Sequence, residues 1–352
     1  MDALDGKTVA VIGYGNQGRA QALNLRDSGV NVVVGNRDDT YADRARRDGF
    51  QATSIGEAVE LADLALLLVP DEVMVGVCRR DVFPHLRPGG ALAFASGYNV
   101  AFGHLSPPEG VDVLLLAPRM IGVGVRETYL RGEGFYSFVG VHQDATGNAW
   151  RVLLALAKAV GTLLKGAVEV TFKQEAVLDL FNEQAFGPAF GRVLLSSIFT
   201  LIDAGYPPEA VLVEMYVSGE MSYTYEKMAK VGLVKQTNFH SHTSQYGAMS
   251  RGVKFLKVGR ELGRIQRDIL ENIESGAFAE EWDKVTTKLK FKAIKFFATR
   301  SRINRVERSA RRALGLPEVD LDEVAPEPTD KERDELAKFR DELAEFEEYY
   351  EF

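Results

Sequence analysis

Only one cysteine, Cys78, stands in 352 residues, so no disulfide can form within the chain. Basic residues are outnumbered: 42 Lys and Arg against 50 Asp and Glu give a formal net charge of -8. A chain of that sign lacks the broad positive field that displaces counterions, which argues against nonspecific nucleic-acid binding. Long apolar runs are missing too. The longest nearly apolar stretches, residues 64–69 and 193–202, fall well short of the roughly 20 residues that span a bilayer, so no membrane segment is expected. The opening Met1-Asp2-Ala3-Leu4-Asp5 is neither basic nor apolar as a leader would be, and a cytoplasmic protein is expected. No internal repeat is visible. What the chain does have is 46% hydrophobic and 26% charged residues, enough for two domains with a core each.

The β-branched apolar run 8–12 ends in Gly13-Tyr14-Gly15-Asn16-Gln17-Gly18. A helix-compatible stretch, 19–27, and a second apolar run, 30–34, follow. This is a βαβ unit with a dinucleotide-binding glycine pattern in its first turn. Gly13 allows the tight turn, Gly15 lets backbone approach a pyrophosphate, and Gly18 lets the helix sit close while its N-terminus faces the anion. Tyr14, Asn16 and Gln17 complete the expected cofactor loop. Past the second strand, Asn36-Arg37-Asp38-Asp39 offers Asp38 about 20 residues beyond the last glycine, placed to bond a ribose 2′-hydroxyl and repel a 2′-phosphate. NADH is therefore favoured, while Arg37, able to stack on adenine or pair with a 2′-phosphate, leaves NADPH open. Further buried strands are expected at 64–69, 91–95, 113–116 and 135–141, with helices between most of them.

Strand signals stop at about Thr171 and long helical patterns take over. We therefore expect an α/β chain: a Rossmann domain over 1–170, an all-α domain over 171–315, and an acidic, helical tail over 316–352. Residues 284–312 are rich in Lys and Arg and 318–352 in Asp and Glu, so the two blocks have the charges to pair. A final helix over about 329–349, with Leu336, Phe339, Leu343 and Phe346 on one stripe, suits docking on the body or on a second subunit; a solvated tail is the alternative.

The run Thr171 to Gln184 stacks Glu175, Asp179 and Glu183 at i, i+4 spacing on one helix face. Like charges so placed repel, which a hard divalent ion such as Mg²⁺ would relieve; a solvated acidic face is the bland alternative. Two histidines, His240 and His242, flank Ser241, and histidines at that spacing are usually plain loop residues.

Taken in order, Gly13 to Gly18, Pro70-Asp71-Glu72-Val73, Ala91 to Ala95, Val141 to Gly147 and Thr171-Phe172 through Asp179 to Glu183-Gln184 resemble the short-form ketol-acid reductoisomerase family over roughly residues 5–260. Enzymes of that family move an alkyl group with Mg²⁺ and then reduce the product with a nicotinamide. The resemblance implies a Rossmann domain, a knotted helical domain, and a homodimer whose active site borrows partner residues. It adds Pro70, Asp71 and Gly122 to the cofactor site. It also assigns Asp179 and Glu183 to metal, with Glu214 of the partner subunit as a third ligand.

The family's functional positions are not all kept. Its second partner glutamate is Ser218 here, with Glu220 two residues on; along an unbroken helix Glu214 and Glu220 would point apart. Its histidine after the Ala-Phe-Ala run is Ser96, another is Val123, and its lysine after Ala-Pro is Arg119. An imidazole that titrates near neutrality thus gives way to a hydroxyl, and an ammonium to a planar fork suited to a carboxylate. Ser241 matches a substrate-binding serine, and a flanking histidine is positioned to serve as general acid.

Three readings follow. The first is an NAD(P)H-dependent reductase that reduces C=O or C=N of a small anionic, carboxylate-bearing substrate without alkyl migration. In it, Arg119 and Ser241 hold the substrate and Asp179 and Glu183 bind Mg²⁺ or handle protons. The second is a working Mg²⁺-dependent ketol-acid reductoisomerase, and the third a catalytically silent NADH-binding protein.

Overall fold

The computed structural model describes residues 2–317, 339, 344–346, 348 and 349. They form two compact units, Met1–Asp179 and Leu180–Phe352.

The first unit is built on one eight-stranded sheet: β1 (Thr8–Ile12), β2 (Asn31–Gly35), β3 (Gln51–Thr53), β4 (Leu64–Leu67), β5 (Ala91–Phe94), β6 (Asp112–Pro118), β7 (Tyr136–Gln143) and β8 (Gly166–Glu169). Its order is β3-β2-β1-β4-β5-β6-β7-β8, and only β6 and β7 pair antiparallel. The central strands alternate between two fully buried faces. Val9, Val11, Leu64, Leu66, Leu114 and Leu116 enter one core, while Ala10, Ile12, Ala65, Leu67, Val113 and Leu115 enter the other. Each buried Leu or Ile side chain contributes about 1.5–3 kcal/mol, so the near-continuous apolar runs specify central strands covered on both sides. The helices that cover them are α1 (Asn16–Asp27), α2 (Thr40–Arg47), α3 (Ile55–Leu61), α4 (Asp71–Val77), α5 (Tyr98–Ala101), α6 (Gly122–Leu130) and α7 (Ala149–Val160). Strand order reverses between β1 and β4, which opens a crevice at their carboxyl ends, where a doubly wound fold binds its ligand. β3 and β8 were not expected from the sequence. Both are short, and none of their residues is fully buried.

Helix α8 (Phe172–Phe181) begins in this unit, with Phe172 in the sheet's core. A wide π turn, Asn182–Phe186, leads into α9 (Gly187–Asp203), and together they make one helix of 32 residues. Pro188 explains the turn: it has no N–H for the carbonyl four residues back, and the chain widens so that Gly187 N–H donates to Asn182 O. The expectation of no membrane-length segment changes here, because the π turn joins two apolar runs. This helix is long and apolar enough to cross a membrane by length and composition, and 17% of its most apolar window is buried.

The second unit continues with α10 (Pro208–Leu212), a π turn at Val213–Val217, α11 (Glu220–Val231), α12 (His242–Gly252), α13 (Leu256–Ser275), α14 (Ala277–Trp282), α15 (Val285–Arg300) and α16 (Arg302–Ala313). Its small core gathers Ile198, Phe199, Val211, Leu212 and Ala310. Most of the expected tail helix, and its pairing with residues 284–312, lie outside the described residues. Of the expected stripe, Phe339 and Phe346 pack against Ala293, Leu289 and Phe297 of α15, and the Tyr349 hydroxyl donates to Pro188 O at 3.1 Å.

Candidate functional site

The nucleotide loop shows why three glycines are needed. A Cβ on Gly18 would sit 2.0 Å from Gly13 O, and one on Gly13, at φ 93°, would sit 2.8 Å from Leu68 O in the loop after β4. Gly15 has open space where its Cβ would be. These are the features of a turn held tight on one side and left open on the other for a pyrophosphate at the start of α1. Gly122 opens α6 with its Cβ position 2.4 Å from Asn16 O, and Gln17 Nε2 donates to Met120 O at 2.8 Å, so the β6–α6 turn braces the loop. The loop therefore fits a dinucleotide, with Gly15 and the exposed Asn16 toward it.

Tyr14 departs from expectation. Its ring is 1% exposed and packs edge-on against Phe50, its hydroxyl donates to Asp48, and its N–H donates to Asn36 Oδ1. Burial and the Asp48 carboxylate push its phenol above the usual range. It supports the loop from behind. At the tip of β2, Arg37 and Asp38 are both exposed; Asp38 pairs with Arg46 at 3.1 Å, and Asp39 caps α2 by accepting from Tyr41 N.

After β4, Pro70 precedes α4 and Asp71 opens it. Asp71 accepts from Asn99 Nδ2 at 3.2 Å, and Ser96 Oγ lies 3.5 Å from it. Next to Ser96, Gly97 is pressed so closely against α8 that a Cβ would meet Phe172 O at 2.2 Å. Its N–H donates to Glu175 Oε2 at 2.6 Å.

Glu175 is the residue whose importance the sequence reading understated. It is 1% exposed, and Arg119 Nη1 donates to its other oxygen at 2.9 Å. Burial lifts its carboxyl to about 7; the Gly97 N–H opposes the rise, the neighbouring Asp179 adds to it, and Arg119 opposes it. The second guanidinium arm of Arg119 donates to Asp179, and its carbon lies 5.0 Å over the Phe138 ring. Arg119 was expected to clamp an anionic substrate. Two of its five N–H donors are instead spent on carboxylates of its own chain, and the group as a whole carries no positive excess when both are ionised. Glu175 was visible in the i, i+4 stripe, but its partner lies 56 residues away in sequence.

In the helical unit, Glu183 is exposed in the π turn. Glu214 and Glu220 were expected to point apart along an unbroken helix, and here the helix is broken. Glu214 sits in the second π turn, Gly219 then turns left-handed at φ 78°, and α11 restarts at Glu220 with Ser218 Oγ accepting its N–H. The helix is broken, and both glutamates line one cleft of about 370 Å³ with Thr224, His240, Ser244 and Gln245. Of the two histidines, His240 is the one in the cleft, with its Nε2 3.3 Å from Gln236 Oε1; His242 opens α12 and is exposed. Ser241 is the N-cap of that helix, accepting from Ser244 N at 3.2 Å, and Ser244 lines the cleft in its place. Val123, where the family resemblance set a histidine, is 61% exposed.

Among the described residues no group of three or more His, Cys, Asp or Glu side chains is gathered to hold a metal ion. Asp179 is bonded to Arg119, so its carboxylate is already engaged by a cation of its own chain.

Residues 3–166 match the family described as acetohydroxy acid isomeroreductase, NADPH-binding domain, and residues 172–315 match ketol-acid reductoisomerase, C-terminal domain. The ketol-acid reductoisomerase (NADP(+)) of Methanopyrus kandleri is 41% identical over 286 residues, which cover 80% of this chain and 85% of that protein. The solved NADH-preferring ketol-acid reductoisomerase from an uncultured archaeon superposes with a TM-score of 0.77 at 31% identity, covering 96% of this chain and 95% of its own. A semialdehyde dehydrogenase NAD-binding protein from Cupriavidus necator, solved with calcium and NAD, shares the fold at a TM-score of 0.57 and 19% identity, covering 76% of this chain and 99% of its own.

Proposed function

Because this chain belongs to the ketol-acid reductoisomerase family, we propose that it reduces the C=O or C=N bond of a small carboxylate-bearing substrate without the preceding alkyl migration. It is an NAD(P)H-dependent oxidoreductase. The bound nicotinamide supplies hydride to the substrate carbon, and the oxygen or nitrogen takes up one proton. Gly13, Gly15, Asn16 and Gly18 would hold the pyrophosphate, and Asp38 favours NADH.

The observation that carries the reading is the engagement of Asp179 by Arg119. Migration would call on divalent ions, for which the family resemblance implies Asp179 and Glu183 as ligands, to act as Lewis acids. Reduction asks only for orientation, a polarised double bond and a proton. With Glu175 and Asp179 ionised, the group formed with Arg119 has a formal charge of -1, which suits a protonated C=N better than a neutral carbonyl.

A homodimer with a shared site is part of the proposal. The largely exposed apolar surface of helix 172–203 suits a second copy of this chain better than a bilayer, since Asp179, Glu183 and Arg192 lie along it. A single species of twice the chain mass in light scattering is expected. A cytoplasmic location belongs to the same reading.

One observation favours a second reading, a working reductoisomerase: Glu214 and Glu220 share a cleft after all. NADH and NADPH oxidation, with and without Mg²⁺, on 2-acetolactate and on 3-hydroxy-3-methyl-2-oxobutyrate separates the two. The first needs migration and the second does not. Turnover of 2-acetolactate with Mg²⁺ overturns our first reading, whereas reduction confined to the second substrate, or to cyclic imines, supports it.

A further inference from the structure

The geometry points to the guanidinium of Arg119 as the resident cation of the Asp179 carboxylate, standing where a divalent ion would otherwise bind. The inference rests on the same site as the proposed reduction and deepens it.

A planar fork suits two carboxylates one helical turn apart. Glu175 and Asp179 are i and i+4 on α8, and Arg119 places one terminal nitrogen on each. An ammonium is a single point of charge and does not match that spacing with the same two-armed geometry. The fork is fixed from three sides. Glu175 is buried and held at its second oxygen by Gly97 N–H; Arg119 N–H donates to Tyr136 O at 2.8 Å; and the Phe138 ring underlies the guanidinium. Gly97 lies directly against the start of α8, where a Cβ would be 2.2 Å from the Phe172 carbonyl, so the turn that holds Glu175 is in close backbone contact with it. A divalent ion at Asp179 would have to displace a guanidinium whose other arm is anchored on the buried Glu175 carboxylate.

Mn²⁺ titrated into the full-length NADH complex, followed by loss of the free-ion paramagnetic resonance signal, tests this without relying on turnover. Wild type is expected to bind Mn²⁺ no more tightly than Asp179→Asn. Arg119→Met is expected to gain a site at least about tenfold tighter, which is lost again when Asp179→Asn is added. A wild-type site that Asp179→Asn abolishes overturns the inference, and so does an Arg119→Met protein that binds NADH normally yet gains no ion. If Arg119→Met does not fold, the wild-type and Asp179→Asn titrations still decide. Failure here is distinct from failure of the proposed reaction, because substrate reduction without migration can be found whichever way the Mn²⁺ experiment turns out.

Discussion

Glu175 and Asp179 share one helix face and one guanidinium, whereas Glu214 and Glu220 share a cleft lined by no Lys or Arg among the described residues. The first pair lies in a sheet-backed unit, where a buried carboxyl is costly and a cation from the same chain offsets the cost. The second pair is exposed on a broken helix, where water screens both charges and little demands a partner. Paired carboxylates of one chain are thus handled in two ways, by internal neutralisation and by solvent. Sequence spacing alone does not say which.

The comparison can be pressed by mutation, starting where the effect is largest. Arg119→Met strands Glu175 in the interior and should cost about 3–5 kcal/mol in urea denaturation, while Glu214→Gln should stay within about 0.5 kcal/mol. Adding Glu175→Leu to Arg119→Met should recover most of the loss; equal costs for Arg119→Met and Glu214→Gln would erase the contrast between the pairs.

The second test is pH. The Glu175 carboxyl is raised by burial to about 7, so the folded state binds its proton more tightly than the unfolded chain does. That stability is fully present below the ordinary carboxylate range and is lost as pH rises through about 7. Between pH 5 and 8 the wild type should lose about 2–3 kcal/mol more stability than Glu175→Gln does, a difference legible in urea midpoints. Parallel profiles would show that Glu175 is not the group responsible.

Two glycines give smaller effects for different reasons. Gly97→Ala forces a Cβ against the Phe172 carbonyl and should cost about 1–3 kcal/mol while loosening the Arg119 pair. Gly219→Ala meets no atom within 4 Å but must hold φ near 78°, which should lower stability by about 1 kcal/mol in thermal melts. If Gly219→Ala proved the more damaging, the cleft would be the more rigid of the two regions.

Much of the fold was legible because long-range order and local pattern agree in it. The glycine turn and the six apolar runs, 8–12 among them, announce themselves, most clearly β4 and β5, which are buried on both faces and carry no polar residue. β3 and β8 were not legible, being edge strands of three and four residues without a fully buried side chain. Asp179 and Glu183 were expected to bind metal from their spacing and the family resemblance, but the guanidinium that engages Asp179 comes from Arg119 just past β6, 60 residues away. That the helix between Glu214 and Glu220 is broken was not legible, because a π turn and a left-handed glycine interrupt the phase without a proline to announce them. Tyr14 misled because a loop residue beside two cofactor glycines turned its ring inward.

Pro188 leaves the carbonyl of Gln184 without its usual helical donor, and the chain answers with a wider ring of atoms at Asn182–Phe186. Such a ring is the weakest link in an otherwise regular 32-residue rod. Its amide protons should trade with deuterium sooner than those of the turns on either side, so the segment that carries Glu183 would breathe while the helix flanking it stays closed.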